Sequence, residues 1–323
     1  LDSGQDPTIS VGGVLKKIKG NIHIGSGDVF VTEACEYTNS FLSLNPTIGV
    51  ILNIEEDHLD FFKDIEEIRN SFKKFVTNTS DEGCIIINDK IENNEEITEN
   101  FKGKVVRYGS ENSDCFVNNI RYDELGYPTF DLIYKGSTYK DVKLCVGGNH
   151  NIDNALASIC VAFELGVGIE DIKNGLLEFS GADRRFEIKG KMGNITIVDD
   201  YAHHPTEIKV TIDAAQKTEK GKITLIFQPH RYSRTKFFFD DFANALGKID
   251  NLILLPIYAA SEDNTYGVTS ESLAEKIGKG ARVCNEVEIE EIIRNNKETD
   301  NTYIFMGAGS ISKLAHEIID RLK

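Results

Sequence analysis

Three clusters of residues in this sequence could do chemistry: Glu33 with His58, the segment from Asp199 to Glu207, and the segment from Gln228 to Arg234. Glu33 and His58 supply a carboxylate and an imidazole. These can offer oxygen and nitrogen to a magnesium ion whose other positions are filled by phosphate and water. Taken singly, a helix-capping Glu33 and a core-bonded His58 serve as well. The run Asp57-His58-Leu59-Asp60 at the end of an apolar stretch favours the metal. In Asp199-Asp200-Tyr201-Ala202-His203-His204-Pro205-Thr206-Glu207, two adjacent histidines stand beside a tyrosine in a loop. Such a grouping seldom serves packing. In Gln228-Pro229-His230-Arg231-Tyr232-Ser233-Arg234, Arg231 and Arg234 can clamp a carboxylate or phosphate with paired N–H groups.

Weaker signals accompany these. Asn151 and Asn154, in Gly148-Asn149-His150-Asn151-Ile152-Asp153-Asn154, share a helix face and could meet an adenine edge. N-capping by Asn149 or Asn151 explains the pattern equally well. Met306-Gly307-Ala308-Gly309-Ser310 holds half of a dinucleotide fingerprint, but Ser312 stands at the third glycine, so it reads as a tight turn and cap. The phosphate-loop pattern G-x-x-x-x-G-K-[ST] occurs nowhere.

The elements that must position these residues read as two α/β units. Asp28–Ala34 and Thr47–Ile54 are apolar runs ending in acidic residues, expected to be parallel strands buried between helices. The spacing of Ile65, Ile68, Phe72, Phe75 and Val76 predicts a helix, and Cys84–Ile87 a further strand. From Asp114 to Val146, turn signals at Asp123–Gly126 and Lys135-Gly136-Ser137 predict an antiparallel meander. Helices are expected over His150–Leu165 and Ile169–Phe179. The acidic run Ile91–Asn100 reads as a solvated helix face. After Gly181, strands at Ile195–Val198, Ile223–Phe227, Leu252–Pro256, Ala281–Cys284 and Tyr303–Met306 alternate with amphipathic segments such as Phe237–Leu246 and Leu273–Ile277. Ligands of such sheets gather at the carboxyl ends of the strands, where the three clusters stand.

Composition narrows the function. A net charge of -16 over 323 residues excludes the broad basic face that nucleic acid or an anionic membrane requires. The longest apolar run, near Leu252–Ala260, contains Pro256 and is too short to span a bilayer. Six scattered cysteines without a C-x-x-C pair read as buried thiols in a reducing cytoplasm rather than disulfides or zinc ligands.

Taken together the motifs resemble the Mur ligases of bacterial cell-wall synthesis. Glu33-Ala34-Cys35-Glu36 with Ser40-Phe41, and Asn53 to Asp60, are similar to the family's central domain. Gly148–Asn154, Asp183-Arg184-Arg185-Phe186-Glu187, Asp200–Glu207 and Phe227–Thr235 resemble the branch that joins L-alanine to a muramyl sugar, in the expected order along essentially the whole chain. The resemblance implies an α/β fold class: a truncated central ATPase-type domain with a parallel sheet and an antiparallel meander (residues 1–183), then a Rossmann-like C-terminal domain (184–323). It implies ATP and Mg²⁺ as cofactors, UDP-N-acetylmuramate and L-alanine as small-molecule substrates, a cytoplasmic location and a role in peptidoglycan synthesis.

By the same resemblance, Glu33 and His58 bind magnesium and belong with His204 and Arg231 to the catalytic set. Asn151 and Asn154 meet the adenine, Arg185 the ATP phosphates and Asp200 the ribose side. Tyr201, His204, Arg231 and Arg234 line the pocket for alanine and the lactyl group. The lactyl carboxylate would attack the γ-phosphate to give an acyl phosphate, and the alanine amine would displace phosphate. The family's UDP-binding domain and phosphate loop would precede Leu1, so the chain alone is expected to be inactive. The rival within the family is the ligase that attaches a murein peptide to the same sugar, against which Arg231-Tyr232-Ser233-Arg234 speaks. A non-catalytic binding fragment is the rival outside it. A nicotinamide dehydrogenase would rest on Gly307-Ala308-Gly309 alone.

Overall fold

The computed structural model describes residues 1–123, 126–218, 221–278 and 280–322. Internal contacts divide it into two units, Leu1–Gly181 and Ala182–Lys323. In the first, β1 (Thr8–Leu15), β2 (Gly20–His23) and β3 (Phe30–Thr32) form a small sheet of order β2-β1-β3. A short 3₁₀ stretch, Tyr37–Ser43, precedes β4 (Ile48–Ile51), α1 (Ile65–Asn78), β5 (Cys84–Asn88), α2 (Asn94–Thr98) and β6 (Lys104–Tyr108). Then come β7 (Cys115–Tyr122), β8 (Pro128–Tyr134), β9 (Ser137–Lys143), α3 (Asn149–Glu164) and α4 (Ile169–Glu178).

Strands β4 to β9 make one six-stranded sheet in sequence order, parallel from β4 to β7 and antiparallel through β7, β8 and β9. The meander is expected from its turns. At Lys135-Gly136 both residues have positive φ, 47° and 81°, the two-residue hairpin turn whose twist suits antiparallel strands. Residues 124 and 125 of the Asp123–Gly126 turn lie outside the described residues. Strand β5 is buried throughout because the sheet is covered on both faces. Alternation sends Ile85 and Ile87 toward Phe75 and Val76 of α1, and Cys84 and Ile86 toward Ile152, Leu156 and Ile159 of α3.

Three expectations are corrected here. The run Asp28–Ala34 is not a buried strand beside Thr47–Ile54. Its strand β3 pairs in parallel with β1, and Phe30 and Val31 are 60% and 45% exposed. Apolar character marks a strand but does not choose its partner. The acidic run Ile91–Asn100 is only partly solvated: α2 has five residues and buries Asn94, Ile97 and Thr98. Cys35 is exposed, whereas Cys84, Cys115, Cys160 and Cys284 are buried and Cys145 lies between.

The second unit contains β10 (Glu187–Met192), β11 (Ile195–Asp200), α5 (Pro205–Thr218), β12 (Lys222–Phe227), α6 (Tyr232–Phe237) and α7 (Phe239–Leu246). It continues with β13 (Leu252–Leu254), α8 (Ser270–Ile277), β14 (Arg282–Val283), α9 (Glu286–Asn295), β15 (Asn301–Met306) and α10 (Ile311–Leu322). The sheet order is β10-β11-β15-β12-β13-β14, parallel except that β10 runs antiparallel to β11. The last strand is therefore inserted between β11 and β12. One face packs Ile197, Ile226, Tyr303 and Phe305 with Ile311, Leu314 and Ile318 of α10. The amphipathic segment Phe237–Leu246 divides at Phe238 into the end of α6 and α7. Among the described residues no helix is long and apolar enough to cross a membrane.

Candidate functional site

Strand β11 ends in two buried carboxylates, Asp199 and Asp200, which are 0% and 4% exposed. Burying a carboxylate is costly without partners, and their partners shape the loop that follows. Asp200 Oδ2 accepts the Phe186 N–H at 2.7 Å, and Oδ1 accepts the Ala202 N–H at 2.8 Å and the Thr211 hydroxyl at 3.3 Å. Burial raises its pKa, against the lowering effect of the two backbone donors. Asp200 is thus a pin between the residues before β10, the loop and α5. Asp199 Oδ2 accepts the Ser312 hydroxyl at 2.5 Å and lies 3.6 Å from Arg184 Nε.

The adjacent histidines part company in the loop after β11. His204 is buried, its ring edge against Phe238 at 4.8 Å and its Nδ1 accepting the Thr206 N–H at 3.4 Å. His203 turns instead toward Tyr201 and His230, with ring centroids 5.1 Å and 5.9 Å away. Its Nδ1 lies 3.0 Å from the Tyr201 carbonyl. A carbonyl only accepts, so Nδ1 carries a proton and donates to it. Glu207 closes the loop: its Oε2 accepts the N–H groups of both histidines, and its Oε1 lies 3.4 Å from Arg185. A glutamate on the first turn of a helix, reaching back to the N–H groups ahead of it, forms one half of a capping box. Burial pushes the Glu207 carboxyl up, but His203, the hydrogen bonds and Arg185 outweigh it, and its pKa is lowered.

The loops after β12 and β13 are built on strained backbone. Arg231 in the first and Ala260 and Ser261 in the second have φ of 70°, 48° and 72°, a region that side-chain-bearing residues occupy only when neighbours hold them there. The two loops are joined, and Arg231 is held, by a reciprocal pair of backbone bonds, Tyr258 N–H to Pro229 O and Arg231 N–H to Tyr258 O, each 2.8 Å. Glu262 then accepts the Ser233 hydroxyl at 2.7 Å and its N–H at 3.1 Å, and lies 4.0 Å from Arg231 Nη1. His230 stacks on Tyr258 at 5.5 Å with its Nδ1 buried and without a hydrogen-bond partner. Burial, with the nearby His203, Arg234 and Arg231, lowers its pKa to about 4, so the ring is neutral at neutral pH.

The two loops can meet because the turn after the intervening β15 is small. A Cβ at Gly309 would sit 2.6 Å from Gln228 Oε1 and 2.7 Å from Tyr258 Cγ, and Gly307 has φ of 148°. Gln228 fastens the turn by accepting the Ile311 N–H at 3.1 Å and donating to Ser310 at 3.2 Å. The glycines are thus a tight turn and cap, as their sequence suggested.

The second unit therefore gathers Arg185, Asp200, Tyr201, Arg231 and Arg234 around the ends of β11, β15 and β12, and packs His204 inward behind them. Arg184, His203, Glu207, His230, Tyr258 and Glu262 belong to the same assembly and carried no role in the sequence reading. The doubled His-His and Arg-Arg pairs announced two of them without saying which member faces the site.

The first unit holds the other candidates. Glu33 follows the exposed β3, not the sheet of β4, and its Oε2 accepts the Gly12 N–H at 2.7 Å. His58 has φ of 53°, stacks on Tyr37 at 4.3 Å and lies 3.5 Å from Glu36 Oε1 and 3.8 Å from Asp57 Oδ2. Glu33 and His58 are therefore not at neighbouring strand ends of one sheet. Among the described residues no group of three or more His, Cys, Asp and Glu side chains is arranged to hold a metal. Magnesium here would draw most of its ligands from phosphate and water, its ordinary habit. On α3, Asn151 donates to Gly147 O at 2.7 Å rather than capping, and Asn154 is exposed.

Comparison with known proteins places both units. Residues 17–162 match the Mur ligase middle domain and residues 184–309 the Mur ligase glutamate ligase domain. The chain is 46% identical to a UDP-N-acetylmuramate–L-alanine ligase of Agathobacter rectalis, over 99% of this chain and 71% of that protein. It is 44% identical to a ligase of the same name from Lachnospira eligens, over 99% and 71%. The crystal structure of UDP-N-acetylmuramate–alanine ligase MurC from Thermotoga maritima superposes with a TM-score of 0.79 at 26% identity, covering 99% of this chain and 70% of that one.

Proposed function

The chain belongs to the Mur ligase family, and from that premise we propose that it carries the ligation machinery joining L-alanine to the lactyl carboxylate of UDP-N-acetylmuramate with ATP. The observation that supports this most is the meeting of the Tyr201–His204 and Pro229–Arg234 loops beside β15. There an aromatic ring, a neutral imidazole and two guanidinium groups converge in an acidic chain. Arg231 and Arg234 suit the carboxylates of the two substrates. The amine of alanine must shed a proton before it attacks an acyl phosphate. The neutral ring of His230 can accept a hydrogen bond from it.

Each unit by itself offers residues for a nucleotide: Arg185 and Asp200 in the second, Asn151 and Asn154 in the first. Asp200, pinned within the fold, acts through the loop it holds. Mg²⁺ would be held by Glu33 and His58 with phosphate oxygens, and would supply charge neutralisation at the transferring phosphoryl group. Positioning dominates such chemistry, which fits a site fastened by so many backbone bonds. Titrating the chain with L-alanine tests the proposal directly. Saturable heat, weakened in Arg231→Ala, is the expected result, and the absence of alanine binding would overturn it.

A further inference from the structure

Arg184 has a set of contacts that no role described above uses. Its backbone is left-handed, with φ of 62°, and that conformation is fastened at both ends. The Arg184 N–H donates to Glu187 Oε2 at 2.9 Å, and its carbonyl accepts the Tyr201 N–H at 2.6 Å. The side chain then folds over the same tyrosine. Its guanidinium carbon lies 4.7 Å from the Tyr201 ring centroid, and Nη2 donates to the Gly307 carbonyl at 2.7 Å. Nε lies 3.6 Å from the fully buried Asp199 and makes no hydrogen bond, and Asp199 Oδ1 is likewise without a partner.

One residue therefore holds the main chain and the ring of Tyr201, and ties both to the ends of β11 and β15. A planar, permanently charged group can face a ring, donate to a carbonyl and stand beside a carboxylate together. Arg185, by contrast, lies 5.5 Å from the ring, with its side chain 53% exposed.

We propose that Arg184 is a positioning residue for amino-acid selection: it fixes Tyr201 against the end of β15, and Tyr201 forms a wall of the alanine pocket. The second half rests on the function proposed above. The first half stands by itself. Asp199 completes the device, because its buried charge keeps the guanidinium over the ring rather than out in water.

The test uses the chain as it is, with tyrosines labelled at the ring carbon that bears the hydroxyl. The Tyr201 resonance is assigned from its disappearance in Tyr201→Phe. In Arg184→Met the Tyr201 resonance should move and sharpen as the ring gains freedom, with the other tyrosine signals in place. L-Alanine affinity should fall about ten- to a hundredfold, as expected when a wall of a binding site is displaced. Arg184→Lys should fall between the two. A Tyr201 resonance in Arg184→Met that coincides with that of the unsubstituted chain overturns the proposal. So does a shifted resonance with unchanged alanine affinity, because the ring then feels the charge without being placed by it. If Arg184→Met does not fold, Arg184→Lys is judged by the same two criteria. If the unsubstituted chain binds no alanine, the proposed function fails, and the resonance alone decides whether Arg184 holds Tyr201.

Discussion

Glu207 accepts the backbone N–H of His203 at 3.0 Å through Oε2, and the same oxygen takes the N–H of His204 at 3.2 Å. One carboxylate thereby sets the directions of two neighbouring imidazoles, because fixing consecutive amides leaves the side chains to opposite sides of the loop. His204 goes to Phe238 and His203 to His230.

Replacing Glu207 should loosen that arrangement. Glu207→Ala is expected to lower the stability of the second unit by about 1 kcal/mol, the usual worth of a helix cap. Glu207→Gln should recover part of it. The carboxyl has a lowered pKa in the folded chain. Its contribution is therefore present above the ordinary glutamate range and disappears as pH falls through the depressed folded value. Urea unfolding at neutral and acid pH should show a steeper acid loss for the unsubstituted chain than for Glu207→Ala. Parallel losses would remove Glu207 from the cap.

His230 titrates with the opposite chemistry but the same pH sense. The unfolded ring takes a proton near 6.5, whereas the folded ring waits until about 4. Between those values the unfolded chain binds more protons, so stability should fall as pH drops through that window. His230→Gln should flatten this slope. An imidazole resonance for His230 that stays neutral at about pH 5 is the direct check. A midpoint near the ordinary histidine value would mean that the ring is not sequestered.

The turn after β15 should tolerate no side chain. Gly309→Ala would place its Cβ 2.6 Å from Gln228 Oε1 and 2.7 Å from Tyr258 Cγ. Overpacking of this kind costs roughly 1–3 kcal/mol and should also displace the loop bearing His230. Thermal unfolding and the His230 resonance should therefore change together. A stable variant with an unmoved His230 signal would mean that the turn has slack.

Arg231 should depend on Glu262. Arg231→Ala should weaken binding of the carboxylate substrates by about 2 kcal/mol or more, as when one member of a desolvated charge pair is cut. Glu262→Gln keeps the Ser233 hydroxyl contact but removes the charge 4.0 Å from Arg231. It should produce a smaller loss in the same assay. Equal affinities for all three chains would exclude Arg231 from the site.

Much of this was legible in the residues. Hydrophobic period and turn chemistry specify β5, α1, the β7–β9 meander and the strand and helix rhythm after Gly181, because such signals are local. The motifs also marked the strand ends at which polar residues gather, since such residues directly follow an apolar run.

What the sequence could not decide was every choice between neighbours. Side chains one residue apart face different ways according to backbone bonds made at a distance. Glu207 sends His203 toward His230 and His204 toward Phe238, and the same kind of choice left Arg184 over Tyr201 and Arg185 largely exposed. Glu33 kept its place after a strand, but β3 found its partner in β1 rather than β4, because an apolar run records burial or pairing and never the identity of the mate. Glu262, Tyr258 and Gly309 acquired their roles only from contacts with residues roughly thirty or more positions away in the sequence. No local pattern encodes such contacts: they arise when β15 is inserted between β11 and β12 and brings three strand ends together.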